Sequence, residues 1–144
     1  MIELKSAAEI EKMAAAGAII HALFAELEHR IRPGVTTLEL DGWAEAYIRA
    51  HQGAVPLFKG LYGFPGSLCT SVNDEVVHGI PSPKRPLEEG DILSVDVGVR
   101  LDGWCGDSAR TFAVGEVSEE ASQLLRVTRE ALDRAVEAAR PGNH

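Results

Sequence analysis

Two aspartates eleven residues apart, Asp96 and Asp107, are the residues in this chain best placed to do chemistry. They lie in the stretch Asp91 to Phe112, which reads as two strands and a tight turn. Leu93, Val95, Val97 and Val99 alternate with Ser94, Asp96, Gly98 and Arg100, the period of a half-buried strand. Asp102-Gly103 is a strong hairpin turn signal. A four-residue loop, Arg100 to Gly103, sets Asp96 directly opposite Asp107; a two-residue loop sets the two diagonally. Either even-length loop puts both carboxylates on one face, roughly 4.5–8 Å apart at Cβ, where like charges repel. A shared proton, a basic side chain or a cation must offset that repulsion. Hard divalent cations take carboxylate oxygens, which is the chemically sharper reading. The plainer one is a wet face neutralised by Arg100 or Arg110.

The totals bound the classes of function. The 144 residues suffice for one domain with a real core, and the hydrophobic share of 45% with 25% charged is ordinary for a globular protein. A net charge of −8 argues against nucleic acid as a partner, because phosphate binding needs a basic face. Neither a membrane-length apolar run nor a secretory signal is seen, so no membrane role is expected. Cys69 and Cys105 are too few for a disulfide framework, which makes a reducing cytoplasm the default compartment.

The elements that must position the aspartates follow from capping and periodicity. Ser6-Ala7-Ala8-Glu9 has the form of a capping box and opens a long helix. Its apolar stripe reads Ile10, Met13, Ala14, Gly17, Ile20, His21, Phe24, Leu27 and Ile31, and Pro33-Gly34 stops it. Thr36-Thr37-Leu38-Glu39 is a second box, before a helix carrying Leu40, Trp43, Ala44, Tyr47 and Ile48 and ending near Gly53. Trp43 and Tyr47 read as core, and His51 complements that helix's dipole. His21 and His29 read as surface histidines.

From Ala54 to Pro86 the chain turns rich in Pro and Gly, with one strand expected at Leu68–Val72 and a short one around Val76–His78. After the hairpin, Ser118-Glu119-Glu120 opens a third helix with an apolar side of Leu124, Leu125, Val127, Thr128, Ala131, Leu132, Ala135, Val136 and Ala139. The triplet Arg-Pro-Gly follows both the first helix, at 32–34, and the third, at 140–142. That order reads either as the start of an internal repeat or as the ordinary habit of Pro-Gly after helices.

The run Gly63-Phe64-Pro65 … Ser67-Leu68-Cys69-Thr70-Ser71-Val72-Asn73 … His78-Gly79-Ile80-Pro81, with Gly90-Asp91-Ile92 … Asp96-Val97-Gly98 … Asp102-Gly103 … Gly106-Asp107, closely resembles the type I methionine aminopeptidases. The resemblance covers essentially the whole chain. It implies an α+β fold, half of a pita-bread, with helices packed on one face of an antiparallel sheet. It also implies a dinuclear site between two pseudo-symmetric halves, and removal of the initiator methionine from polypeptides. By the same resemblance, Asp96 is a terminal metal carboxylate and Asp107 the bridging one. His78 faces the substrate near the scissile carbonyl, and Phe64 and Cys69 are walls of the methionine pocket. Leu61 stands where many relatives carry an aromatic residue, which alters that pocket; Cys105 stands where some carry a histidine and is given no role.

Amide hydrolysis needs an activated nucleophile and charge stabilisation at the carbonyl oxygen, both of which divalent metals supply. A neutral His78 could donate a hydrogen bond to the developing oxyanion. Manganese, cobalt, iron, zinc and magnesium all suit such a site.

The remaining ligands of the family, one histidine and two glutamates, come from the second half; terminal His144 matches none of them. The expectation is therefore a single domain, 1–144, with a first repeat at 1–117 and the first helix of a second, truncated repeat at 118–144. Such a half is expected to be weak or inactive alone, completed either by a separate C-terminal half or by a second copy in a two-fold homodimer. The competing expectation is a self-assembling half-fold, engineered or ancestral in type, with a structural or metal-binding role and no peptidase activity.

Overall fold

The computed structural model describes residues 3–143; His144, weighed above as a ligand, lies outside them. Helix α1 (Ala7–Arg30) begins at Ser6, whose hydroxyl accepts from the Glu9 N–H while the Glu9 carboxylate accepts from the Ser6 N–H. Helix α2 (Thr37–Arg49) repeats the device with Thr36 and Glu39. Both boxes satisfy backbone donors that a helix start otherwise leaves open. In each, the bonds hold the glutamate below its ordinary pKa.

Four antiparallel strands form one sheet: β1 (Ala54–Pro56), β2 (Leu68–Val72), β3 (Ile92–Leu101) and β4 (Trp104–Ala113). β3 is central. β4 pairs with it along its whole length, while β1 and β2 share its other edge in tandem, opposite 99–101 and 93–97. The turn between β3 and β4 is the two-residue loop Asp102-Gly103, with φ of 47° and 90°. Those left-handed values match the turn that suits the strands' twist, which is why Asp-Gly stands there. The strand expected around Val76–His78 does not form: that stretch is a turn and extended loop, held to β2 by side-chain and single backbone bonds. β1, by contrast, was hidden in the Pro- and Gly-rich run because it is three residues long.

Leu93, Val95, Val97 and Val99 are fully buried on the face that the helices cover; each such side chain contributes about 1.5–3 kcal/mol. α1 lies across β3 and β4 and α2 packs beside it on β1 and β2. α1 approaches so closely that a Cβ on Gly106 of β4 would fall 2.9 Å from the Gly17 nitrogen. The buried residues of α1 are Ala16, Ile19, Ile20, Leu23, Phe24 and Leu27, so Ile10 and Met13 at the start of the expected stripe stay exposed. Trp43 and Tyr47 pack against the core, and Arg30 stacks 3.9 Å over the Trp43 ring. The His51 ring nitrogen meets the Tyr47 carbonyl at 3.0 Å. Helix α3 (Glu119–Ala138) is different: no residue of it is buried, and Leu124, Val127, Leu132 and Val136 are exposed.

Candidate metal centre and its cleft

The two-residue turn fixes the register of the aspartates. Asp96 pairs with Ala109 and Asp107 with Gly98, so the carboxylates stand diagonally on neighbouring strands, on the face away from α1. On that face Cys69 of β2 lies directly opposite Asp96, and Ser94 bonds Thr111 at 2.9 Å. Burial pushes the Asp96 carboxyl above its usual range, and the Asp107 carboxylate, by its charge and then by hydrogen bonding, pushes it further. The charge of His78 and the Val97 N–H act in the opposite sense. Among the described residues no arginine bonds the pair: Arg110 bonds Glu28 at 3.0 Å and stacks on Phe112, and Arg100 makes no ion pair there.

Asp96 also lines a cleft of about 540 Å³ with His78, Phe64, Cys69 and Leu61, and Phe58, Tyr62, Gly63, Pro65 and Ile80 complete its wall. The structure thus brings the five expected cleft residues together; Asp107 is not on the wall but stands beside Asp96 on the next strand. Burial first, and then the charges of Asp96, Asp107 and Asp41, push the Cys69 thiol up to about 11. A thiol held protonated is a poor nucleophile and a serviceable apolar wall. Cys105 is an exposed free thiol outside the cleft.

Three braces hold these residues. Asp41, on the buried side of α2, accepts from the Ser67 N–H at 2.7 Å and the Leu68 N–H at 2.8 Å, fixing the entry to β2 one residue before Cys69. The Gly79 carbonyl accepts from Thr70 at 2.8 Å and its N–H donates to the Ser71 hydroxyl at 3.1 Å, tying His78 to the same strand. A Cβ at Gly79 would fall 2.1 Å from the Thr70 carbonyl oxygen, so only glycine permits the approach. Asn73 donates to Asp91 at 2.7 Å and accepts from the Ile92 N–H at 3.0 Å, closing the loop that carries His78. Asp41 and Phe58 were not picked out by sequence reasoning. For Asp41 a signal existed: it falls in phase with Ala44 and Ile48 on the apolar side of α2.

The donor set suits a divalent ion on one side only. Two oxygen donors stand together on a partly dry face, but among the described residues no group of three or more His, Cys, Asp or Glu could hold a metal.

The fold is that of one half of a pita-bread metallopeptidase. The chain belongs to metallopeptidase family M24, whose family profile matches residues 11–144. It is 53% identical over 143 residues to a methionine aminopeptidase of Clostridium acetobutylicum, covering 99% of this chain and 57% of that relative. To methionine aminopeptidase 1 of Bacillus subtilis it is 48% identical, covering 99% and 56%. The solved methionine aminopeptidase of Thermotoga maritima superposes with a TM-score of 0.94 at 41% identity, covering 99% of this chain and 57% of that one. The prolidase of Pyrococcus horikoshii superposes at 0.83 with 26% identity, over 96% and 38%. The chain therefore spans little more than half the length of the curated relatives it matches.

Proposed function

We propose that this chain supplies the N-terminal half of a methionine aminopeptidase-like site, for removing the first methionine from a polypeptide in the cytoplasm. One observation carries the reading: Asp96 and His78 share a cleft with Phe64, Cys69 and Leu61, and Asp107 stands diagonal to Asp96. In this reading Asp96 and Asp107 would contribute two of the carboxylate ligands of a divalent metal, manganese, cobalt, iron or zinc, whose remaining ligands come from outside this chain. Such a metal would supply an activated nucleophile and charge stabilisation at neutral pH. His78 donates a hydrogen bond to the carbonyl oxygen as negative charge develops on it. Phe64, Leu61 and the protonated Cys69 take the thioether side chain, whose flexibility suits a small apolar slot. Phe58, packed on Gly98 beside Asp96, lines the same cleft.

Two carboxylates do not fix a dinuclear centre, so hydrolysis of methionyl peptides by the 144-residue monomer is expected at background. Mixing it with the C-terminal remainder of the Clostridium relative, with manganese, should restore turnover, and His78→Ala or Asp96→Ala should abolish it. Robust turnover by a demonstrated monomer would overturn the half-site reading. No turnover from a mixture shown to form a complex would overturn the peptidase reading.

A further inference from the structure

Most of the cleft's wall comes from one run of chain, Phe58 to Pro65, between β1 and β2. Its backbone bonds close on themselves: the Gly60 N–H donates to the Phe64 carbonyl at 2.8 Å, and the Phe64 N–H donates to the Leu61 carbonyl at 2.9 Å. The turn holds Gly60, Tyr62 and Gly63 at φ of 87°, 50° and 81°, so it includes a left-handed tyrosine. Such a conformation persists only where surrounding structure holds it. Lys59 to Gly63 are exposed, which leaves little packing to do so. Bonds to other elements stand at the two ends. The Leu57 N–H donates to the Gly98 carbonyl at 2.8 Å before the run, and Asp41 accepts from Ser67 and Leu68 after it. Between those points, among the described residues, the one hydrogen bond or ion pair to another element joins Lys59 to Glu45 of α2.

Glu45 is well placed to take that contact. It lies one helical turn after Asp41, on the same side of α2. The two acids therefore grip the same loop near both ends, Glu45 at Lys59 and Asp41 at Ser67 and Leu68. The Glu45 side chain is 21% exposed, and its other oxygen accepts from Arg49 at 2.9 Å, so the carboxylate is already pinned where Lys59 meets it. The bond from Lys59 is the leading cause that holds the Glu45 carboxyl below its ordinary range. The pairs on α3, Arg126 with Glu130 and Arg129 with Asp133, link residues of one helix; this one links residues 14 apart and fastens a loop to a helix.

We propose that the Lys59–Glu45 ion pair is a positioning latch, which holds Phe58, Leu61, Tyr62 and Phe64 in the shape that receives the methionine side chain. Lys59 does not line the cleft; it acts through the residues on either side of it. What the wall receives rests on the function proposed above, whereas the latch needs only the loop and α2.

Three variants test it. Lys59→Met keeps the stem and removes the charge, Glu45→Gln removes the charge at the other end, and Lys59→Arg keeps the pair. In low salt the Gly60, Leu61 and Phe64 amides should exchange roughly two- to fivefold faster in the first two variants, as suits a partly exposed pair, and near the parent's rate in Lys59→Arg. High salt should speed the parent's loop amides toward the variants' rate and change the variants little. In the mixture completed by the C-terminal remainder of the Clostridium relative, Lys59→Met and Glu45→Gln should raise KM for a methionyl peptide by a similar factor. Their kcat should stay close to the parent's, because the wall holds the side chain and not the scissile amide. Loop amides that exchange equally in parent and variants would overturn the latch. Faster loop amides with an unchanged KM, or a fall in kcat at constant KM, would overturn its service to the cleft. A parent mixture without turnover strikes the peptidase reading instead, and the amide rates then decide the latch on their own.

Discussion

Replacing Asp41 by alanine tests whether the cleft is braced from the helix side. The Asp41 side chain is 5% exposed and accepts two backbone bonds, at 2.7 and 2.8 Å, from Ser67 and Leu68. Ser67 and Leu68 are themselves buried, so water cannot replace the lost acceptor. Each stranded donor costs about 1–3 kcal/mol. Against this, removing a buried carboxylate relieves its desolvation, the leading cause of its raised pKa. The expected net loss is about 3 kcal/mol, a roughly hundredfold smaller folding constant. Asp41→Asn keeps an acceptor without the charge and should cost no more than about 1 kcal/mol. The pH dependence separates the two effects. With the folded pKa raised, the folded state binds the proton more readily than the unfolded chain, whose carboxyl titrates near about 3.9. Between those two values stability rises as pH falls. Relative to Asp41→Asn, the parent should therefore gain stability on going from neutral pH down to about 4, and the difference should be flat above the window. Urea unfolding at several pH values measures both, with exchange of the Ser67 and Leu68 amides as the local readout. An alanine variant that loses less than about 1 kcal/mol, or that costs no more than the asparagine variant, would refute the brace.

Two further outcomes follow from the same geometry. Asp107→Asn should raise stability in chelator, by up to about 1 kcal/mol for like charges at diagonal spacing on a partly dry face. It should lower stability relative to the parent in manganese, and thermal shifts of the same sign in both buffers would count against a metal at this pair. Gly98→Ala would place a Cβ 2.7 Å from the Phe58 ring. That should cost about 1–3 kcal/mol and drive Phe58 into the cleft, which a crystal structure of the variant would show; a Phe58 ring left in place at no cost would refute the packing.

How much was legible beforehand depended on how local each signal is. Both helix starts were readable because a capping box is four residues long and carries its own bonds. The alternation of Leu93 to Val99 gave the central strand and its buried face for the same reason. Asp102-Gly103 limited the hairpin to even-length loops but left two registers; the three-dimensional structure chose the diagonal one. What sequence could not give was set at long range. β1 exists only because Val99–Leu101 of β3 offer it an edge. The Val76–His78 strand did not form because the neighbouring Gly79 meets β2 through one backbone bond to Thr70 and one side-chain bond to Ser71, which fixes the loop without a ladder. Asp41 reads as one acid in a helix until the backbone donors 26 and 27 residues later are placed against it. The clustering of His78, Asp96, Phe64, Cys69 and Leu61 around one cleft had been carried by family resemblance, since they come from three separate segments.

Several departures from local preference lie at the cleft. Asp96 and Asp107 repel across the hairpin, with no arginine among the described residues bonded to either. Of the four non-glycine residues with left-handed φ, His78 at 59° and Tyr62 at 50° line the cleft, while Asn73 at 55° and Asp102 at 47° sit in turns, where Asn and Asp are the side chains that best tolerate it. His78, Tyr62 and Asp96 all line the same cleft, and Asp107 adjoins it. Elsewhere the chain obeys its own rules: sealed helix starts, an alternating central strand, an Asp-Gly turn where left-handed residues are required. Strain and like-charge contact persist only where surrounding structure over-determines them. Here it does so through bonds that bear on the cleft from outside it: Asp41 on the entry to β2, Gly79 on Thr70, Asn73 on Asp91 and Ile92. A fold selected for stability alone would have no reason to set an acid diagonal to an acid and then fasten the loops around them. The like-charge cost falls on the carboxylate pair, where a divalent ion would relieve it in the function proposed above, and the braces around the cleft hold that pair and the apolar walls alike.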